Sequence, residues 1–312
     1  MPLRVLLVLL LSSCAAPSPT SPYLLVLGTA QDGGYPQIAC RQPLCEAARS
    51  NEDLARHVVS GLIVDPAADR RWLIDASPDL RAQVELARGH GGPAANEAGR
   101  PPLFDGILLT HAHMGHYAGL LQLGREAYGS QTTPLYTSPS MGQYLRDNGP
   151  WSLLFVAGHL QQMDLKAGEA VQLSPAISVV PLSVAHRGEF SDTLAFAIQG
   201  PARRVLYLPD IDRWDGPWLD FATWLAEYDA VLVDGTFFDG GELPGRDMSK
   251  IPHPPIARTL KAIENLPQAE RSKLIFFHLN HSNPVLDPDS PQRARVRASG
   301  ARVAWDGMQI EL

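Results

Sequence analysis

Three histidines fall within six residues in His111-Ala112-His113-Met114-Gly115-His116, directly after the apolar run Gly106-Ile107-Leu108-Leu109. A buried strand that ends in such a cluster points its imidazoles into the cleft at its carboxyl edge, where neutral ring nitrogens can take a borderline metal such as zinc. Histidines at strand ends also occur as surface residues or as satisfied hydrogen-bond partners. Three of only ten histidines in one hexapeptide favour the metal site.

Further candidates follow, each at the end of an apolar run. His186 closes Val180-Pro181-Leu182-Ser183-Val184-Ala185, Asp210 follows Arg204-Val205-Leu206-Tyr207-Leu208-Pro209, and His278 follows Lys273-Leu274-Ile275-Phe276-Phe277. Taken singly, a His or Asp after a strand is more often a cap or a surface residue; their order and common position carry the weight. The hexapeptide resembles the His-x-His-x-Asp-His signature of the metallo-β-lactamase superfamily, with Gly115 where that family has aspartate. The resemblance implies a single-domain α/β fold, the αββα sandwich. It also implies a first metal on His111, His113 and His186, Asp210 as a bridging carboxylate, and His116 and His278 as ligands of a second metal. Gly115 puts that second position in doubt. His281 is a rival to His278 for the final ligand.

Within the superfamily, three stretches resemble the pyrroloquinoline-quinone biosynthesis protein B group. They are Val26-Leu27-Gly28-Thr29-Ala30-Gln31-Asp32-Gly33-Gly34-Tyr35-Pro36-Gln37, Ile74-Asp75-Ala76-Ser77-Pro78-Asp79-Leu80-Arg81, and residues His278 to Leu312 with Asn283-Pro284, Asp289-Ser290-Pro291 and Trp305-Asp306-Gly307-Met308. Members of that group resemble cytosolic proteins, whereas the start of this chain resembles an export signal. Arg4 precedes the short apolar run Val5–Leu11, and Leu11-Ser12-Ser13-Cys14 resembles a bacterial lipobox. The run is far shorter than the ~20 residues that span a bilayer. The expectation is a signal peptide over 1–13, lipidation at Cys14, a Ser/Thr/Pro-rich tether to residue 22 and a folded domain over 23–312. Ala15 lacks the aspartate associated with inner-membrane retention, which implies an exported lipoprotein on the periplasmic side, anchored in the outer-membrane bilayer. An ordinary cleaved signal peptide and an uncleaved start are the alternatives.

With 45% hydrophobic residues in 312, the chain can bury one sizeable core. Its formal net charge of −7 offers no basic stripe for a phosphate backbone, so a small-molecule or peptide substrate is expected and nucleic acid is not. Strands are expected at Tyr23–Gly28, Val58–Val64, Trp72–Asp75, Ile177–Leu182, Leu194–Ile198, Val205–Leu208, Ala230–Val233 and Leu274–Phe277. Helices are expected at Asp79–Arg88, capped by Ser77 or Asp79, from Tyr117 onward, near Trp218–Glu227 and near Pro255–Asn265.

Other residues support the site in this reading. Asp75 resembles an aspartate that orients a ligand histidine; a helix-cap role is the alternative. His253, in the loop Gly240–Pro255, is a candidate catalytic proton donor or substrate contact, or else an exposed loop histidine. Asp32 with Gly33 and Gly34 forms a turn suited to close backbone approach. Trp151, Trp214 and Trp218 read as packing. For Cys40 and Cys45, an oxidising compartment favours a disulfide; two free thiols are the alternative, since a structural zinc would need ligands from elsewhere.

Metal on three histidines keeps an open position for hydrolysis of a carbonyl or phosphoryl compound, with Asp210 orienting the nucleophile. One or two zinc ions per chain are expected. Iron in the same His/carboxylate set would permit oxygen chemistry, which is the second reading. A non-catalytic metal carrier is the third.

Overall fold

The computed structural model describes residues 20–92, 99–243 and 245–312. The signal peptide, Cys14 and most of the tether lie outside the described residues. Among these residues no helix is long and apolar enough to cross a membrane.

Two seven-stranded sheets face each other. The first is built from β1 (Tyr23–Gly28), β2 (Ser60–Asp65), β3 (Arg70–Ile74), β4 (Gly106–Leu108), β5 (Thr133–Thr137) and β6 (Leu160–Asp164). The second takes β7 (Val171–Gln172), β8 (Ser178–Val184), β9 (Thr193–Gln199), β10 (Arg204–Leu208), β11 (Ala230–Asp234), β12 (Leu274–Phe277) and β13 (Arg302–Val303). The chain then returns with β14 (Gln309–Glu311) to pair with β1 on the first sheet. The orders are β14-β1-β2-β3-β4-β5-β6 and β13-β12-β11-β10-β9-β8-β7.

The central strands read as continuous apolar runs because both their faces are covered. In β1, Leu24 and Val26 join the core between the sheets, while Leu25 and Leu27 face an outer helical layer. β10 divides the same way: Val205 and Tyr207 point inward, Leu206 and Leu208 outward. The outer layer of the first sheet includes the helices Leu80–Leu86, Pro139–Asp147 and Ser152–Val156; that of the second includes Phe221–Ala226, Ile256–Ile263 and Pro291–Ala298. The result is the expected single-domain αββα sandwich.

Three local expectations need correction. Asp79 precedes the helix Leu80–Leu86 without capping it, because its carboxylate accepts instead from the Val58 N–H at 2.8 Å. Ser77 does serve the helix start, its hydroxyl accepting from the Asp79 N–H at 3.1 Å while donating to Gln83 at 2.8 Å. The segment after Tyr117 is a 3-10 turn, Ala118–Leu123, preceded by a single α turn, Met114–Tyr117. Gly119 lets this turn pass close to the β3 end, since a Cβ there would lie 2.0 Å from the Ser77 carbonyl oxygen and the Gly119 N–H donates to the Ala76 carbonyl at 2.9 Å. Cys40 and Cys45 are free thiols. The helix Pro43–Ser50 turns Cys45 into the core, and the thiols meet as a hydrogen-bonded pair; burial pushes Cys45 up to about 11.

Candidate metal centre

β3, β4, β5 and β6 run parallel, as do β10, β11, β12 and β13, so their carboxyl ends gather at one edge of the sandwich. Asp75 follows β3, His111 follows β4, His186 follows β8, Asp210 follows β10, Asp234 ends β11 and His278 follows β12. This is the crevice in which α/β sheets place their ligands. Asp75 and His278 both adopt left-handed backbone, at φ 60° and 56°, so each strand turns sharply just as it delivers its side chain. Non-glycine residues hold that conformation at a cost of roughly 1–2 kcal/mol, offset here by fixed contacts. The Asp75 carboxylate accepts from the Thr110 N–H and hydroxyl at 2.9 and 3.0 Å.

The ligand candidates form two groups. His111 Nε2 lies 2.8 Å and His186 Nε2 3.2 Å from His113 Nδ1. His116 Nε2 lies 3.2 Å and His278 Nε2 3.3 Å from Asp210 Oδ2. Asp210 joins the groups, because its other oxygen, Oδ1, is 3.5 Å from His186 Nε2. Donor atoms at tetrahedral zinc distances sit about 3.4 Å from each other, so both groups have the spacing of a coordination shell. His116 Nε2, His278 Nε2 and Asp210 Oδ2 are buried and have no hydrogen-bond partner. Burying such atoms unpaired costs free energy, and a shared cation satisfies all three.

The opposite edge of each ring is held. His111 Nδ1 is 3.0 Å from the Thr110 hydroxyl, His113 Nε2 is 3.2 Å from Glu189, and His116 Nδ1 is 2.8 Å from Asp75. His278 Nδ1 is 3.0 Å from Thr236, and His186 Nδ1 faces Asp212 at 2.9 Å as an ion pair without hydrogen-bond geometry. Such partners fix ring orientation and leave the other nitrogen free for metal. Of the two histidines that compete for the final position, His278 is fully buried in the cluster and half-buried His281 belongs to none of the groups.

His253 is buried, with Nδ1 2.6 Å from Asp234 Oδ2, and its ring approaches His186 with centroids 5.4 Å apart. It belongs to the cluster and is not an exposed loop residue. Asp234 also accepts from the Ile211 and Thr236 N–H groups at 3.2 and 2.9 Å, which ties β11 to the segment carrying Asp210. Trp214 and Trp218 pack in the outer layer, with Trp214 Nε1 donating to Thr259 at 2.8 Å.

The electrostatics select positive charge at the centre. Burial pushes His111, His186 and His278 down, so these rings stay neutral and able to donate a lone pair. For His116, burial is outweighed by the adjacent Asp75 and Asp210, and its affinity for a proton rises. Burial would raise Asp210, but His278, His111 and His116 around it hold it well below the ordinary carboxylate range. His253 is raised because Asp234 outweighs burial.

Sequence reasoning passed over Asp234, Asp212, Thr110, Thr236 and Glu189, and read Asp32 only as part of a turn. Asp234 carried the signal that found Asp210, an acid at the end of the apolar run Ala230–Val233. Asp32 Oδ1, 3.8 Å from His116 Nε2, belongs to a group with His116 and His278 whose ligand atoms lie within 4.8 Å of one another.

Two stacked sheets with a His/Asp cluster at one edge define a metal-binding protein of the αββα class. Residues 70–279 match the beta-lactamase superfamily domain, and the chain belongs to that superfamily. It is PqqB-like: it is 29% identical to coenzyme PQQ synthesis protein B of Methylorubrum extorquens over 93% of this chain and 100% of that one. It is 32% identical to the protein of that name from Xanthomonas campestris, over 93% and 99%. Its fold is similar to the crystal structure of Zn(2+)-bound PqqB from Methylobacterium extorquens, with a TM-score of 0.78, 25% identity and coverage of 93% and 100%.

Proposed function

We propose that this protein is a zinc-dependent hydrolase of a small molecule or peptide, exported and held at the outer membrane through lipidated Cys14. The observation that carries the hydrolytic reading is the His253–Asp234 pair beside the metal ligands. Hydrolysis needs a proton for the leaving group, and a histidine clamped by a carboxylate is suited to give one.

His111, His113 and His186 fit a metal held on three imidazoles. These residues would hold zinc there, which would supply Lewis acidity and acidify a water near neutral pH. Asp210 accepts a hydrogen bond from the attacking water and aims it, its two oxygens facing the two groups of histidines. Asp234 Oδ2 holds His253 Nδ1, leaving Nε2 to pass its proton to the departing oxygen or nitrogen. Next to His253 opens a cleft of about 570 Å³ lined by Asp212, Arg213, Phe237, Lys250, Ile251 and Arg258, room for a small substrate or a peptide end.

Turnover of bis-p-nitrophenyl phosphate and of a simple nitrophenyl ester tests this reading, with His113→Ala as the control. Zinc-dependent turnover lost in the variant supports it. A second reading rests on the relatives' names: an iron-dependent oxidase or hydroxylase linked to coenzyme PQQ synthesis, using the same His/carboxylate set. Bound iron with oxygen consumption, and no hydrolysis, would replace the first reading with the second. Export and lipidation are supported by Arg4, the Val5–Leu11 run and the Leu11-Ser12-Ser13-Cys14 sequence. Membrane fractionation after labelling with a fatty acid tests them, and Cys14→Ser should release an unlabelled protein.

A further inference from the structure

We propose that Asp32 supplies the carboxylate of a second metal position, together with His116, His278 and Asp210, from a turn distant in sequence from the histidine motif. This rests on the metal-site reading above and extends it to a residue on another element. Three observations meet here. Asp32 Oδ1 lies 3.8 Å from His116 Nε2, and with His278 these residues bring one ligand atom each within 4.8 Å of the others. His116 Nε2, His278 Nε2 and Asp210 Oδ2 are buried without hydrogen-bond partners and converge on the same space. Position 115 and position 32 exclude each other: a Cβ on Gly115 would stand 2.2 Å from Asp32 Oδ1 and 2.8 Å from its Cα. The glycine is what admits the carboxylate from the turn.

That turn is tied to the strand end carrying His278. The Gln31 N–H donates to the Leu279 carbonyl at 2.9 Å, and the Leu279 N–H donates to the Thr29 carbonyl at 2.8 Å. The Asn280 amide also donates to the Gln31 side chain. Asp32 and His278 are therefore held in fixed relation although 246 positions separate them in the chain. Asp32 also accepts from the Gly115 N–H at 3.1 Å. A purely structural Asp32 would need only that bond, which an asparagine oxygen can also accept; a metal ligand needs the negative charge.

Asp32→Asn separates the two roles. Zinc binding is read on the full chain in detergent, by plasma mass spectrometry and by titration against a chromophoric chelator, with melting temperature as the folding control. Wild type should bind two zinc ions, and Asp32→Asn should keep the first while its second weakens by at least about tenfold. His111→Ala should lose the first. Equal affinity of wild type and Asp32→Asn for both ions overturns the role of Asp32. A single zinc in wild type, indifferent to His116→Ala and to Asp32→Asn, overturns the second position and leaves the first standing. No specific zinc in wild type overturns both this inference and the proposed zinc enzyme.

Discussion

The two groups of histidines differ in how they are built and how they are sheltered. His111, His113 and His186 come from two strand ends, and His113 is partly open, its outer nitrogen facing Glu189, a residue about half exposed. His116 and His278 are fully buried, backed by Asp75 and Thr236, and completed by Asp32 and Asp210 from two further segments. The cleft of about 570 Å³ is lined by His253 and by Asp212, the carboxylate that faces His186 of the open group, and by no residue of the closed one. On the proposed function a division of labour follows: chemistry at the first group, with the second holding charge and geometry around Asp210.

The largest expected effect comes from breaking the first group. His113→Ala should lower kcat/KM by roughly a thousandfold, the scale of a lost Lewis acid, while the melting temperature of the metal-free protein falls less than in Asp75→Ala, because the His113 side chain is 15% exposed and that of Asp75 is not exposed at all. Comparable loss of stability and activity would mean that the open group is structural after all. Asp75→Ala attacks the closed group and should behave in the opposite sense. It strips a buried carboxylate from His116, Thr110 and the backbone, a change worth about 3–5 kcal/mol. Thermal denaturation should therefore show the fall, and the second metal should bind more weakly, by about 10–100-fold. If Asp75→Ala melts like wild type, the contrast between the groups fails.

The contrast also explains what the sequence made visible. The open group rests on a contiguous motif and on His186, each after a strand whose apolar run is long enough to read. The closed group is assembled from residues 32, 116, 210 and 278, and nothing local to Asp32 marks it as a partner of His116; only the pairing of β1 with β2 and the hydrogen bonds to Leu279 bring it there. The core strands β1, β10, β11 and β12 were legible because burial on both faces makes them continuously apolar. β6 was not, because as the edge of its sheet it carries Gln161, Gln162 and Asp164. β13 and β14 are two and three residues long, too short for any period to register. Cys40 and Cys45 were placed correctly as neighbours but not as free thiols, since spacing carries no information on which way the helix Pro43–Ser50 turns Cys45.

Asp234→Asn sharpens the comparison at its boundary. Asp234 outweighs burial and raises His253, so in wild type the protonated ring persists to higher pH. A proton donor is active while protonated, so the alkaline limb of the kcat profile marks its loss. Without the Asp234 charge, burial prevails and that limb should move to lower pH, with kcat reduced by about 10–100-fold, within the range for general acid catalysis. An unchanged limb in Asp234→Asn would remove His253 from the proton path and leave Asp210 as the sole acid–base group.

The smallest effect is expected where the His253 loop begins. Glu242 accepts from the Phe238 and Asp239 N–H groups, yet burial pushes its carboxyl up to about 7. Its folded value lies above the unfolded one, near 4.3, so the native loop binds the proton more tightly than the unfolded chain. The stability this contributes is present below the unfolded value and is lost as pH rises through about 7. Amide exchange across Phe237–Glu242 should therefore accelerate as pH rises from about 4.3 to about 7, beyond the intrinsic base-catalysed rise, and level off above, and Glu242→Gln should abolish that excess. Because the loop delivers His253 to the open group, the closed group's amides near Asp75 and His116 should show no matching change; excess exchange at both places would mean that the two groups open as one unit.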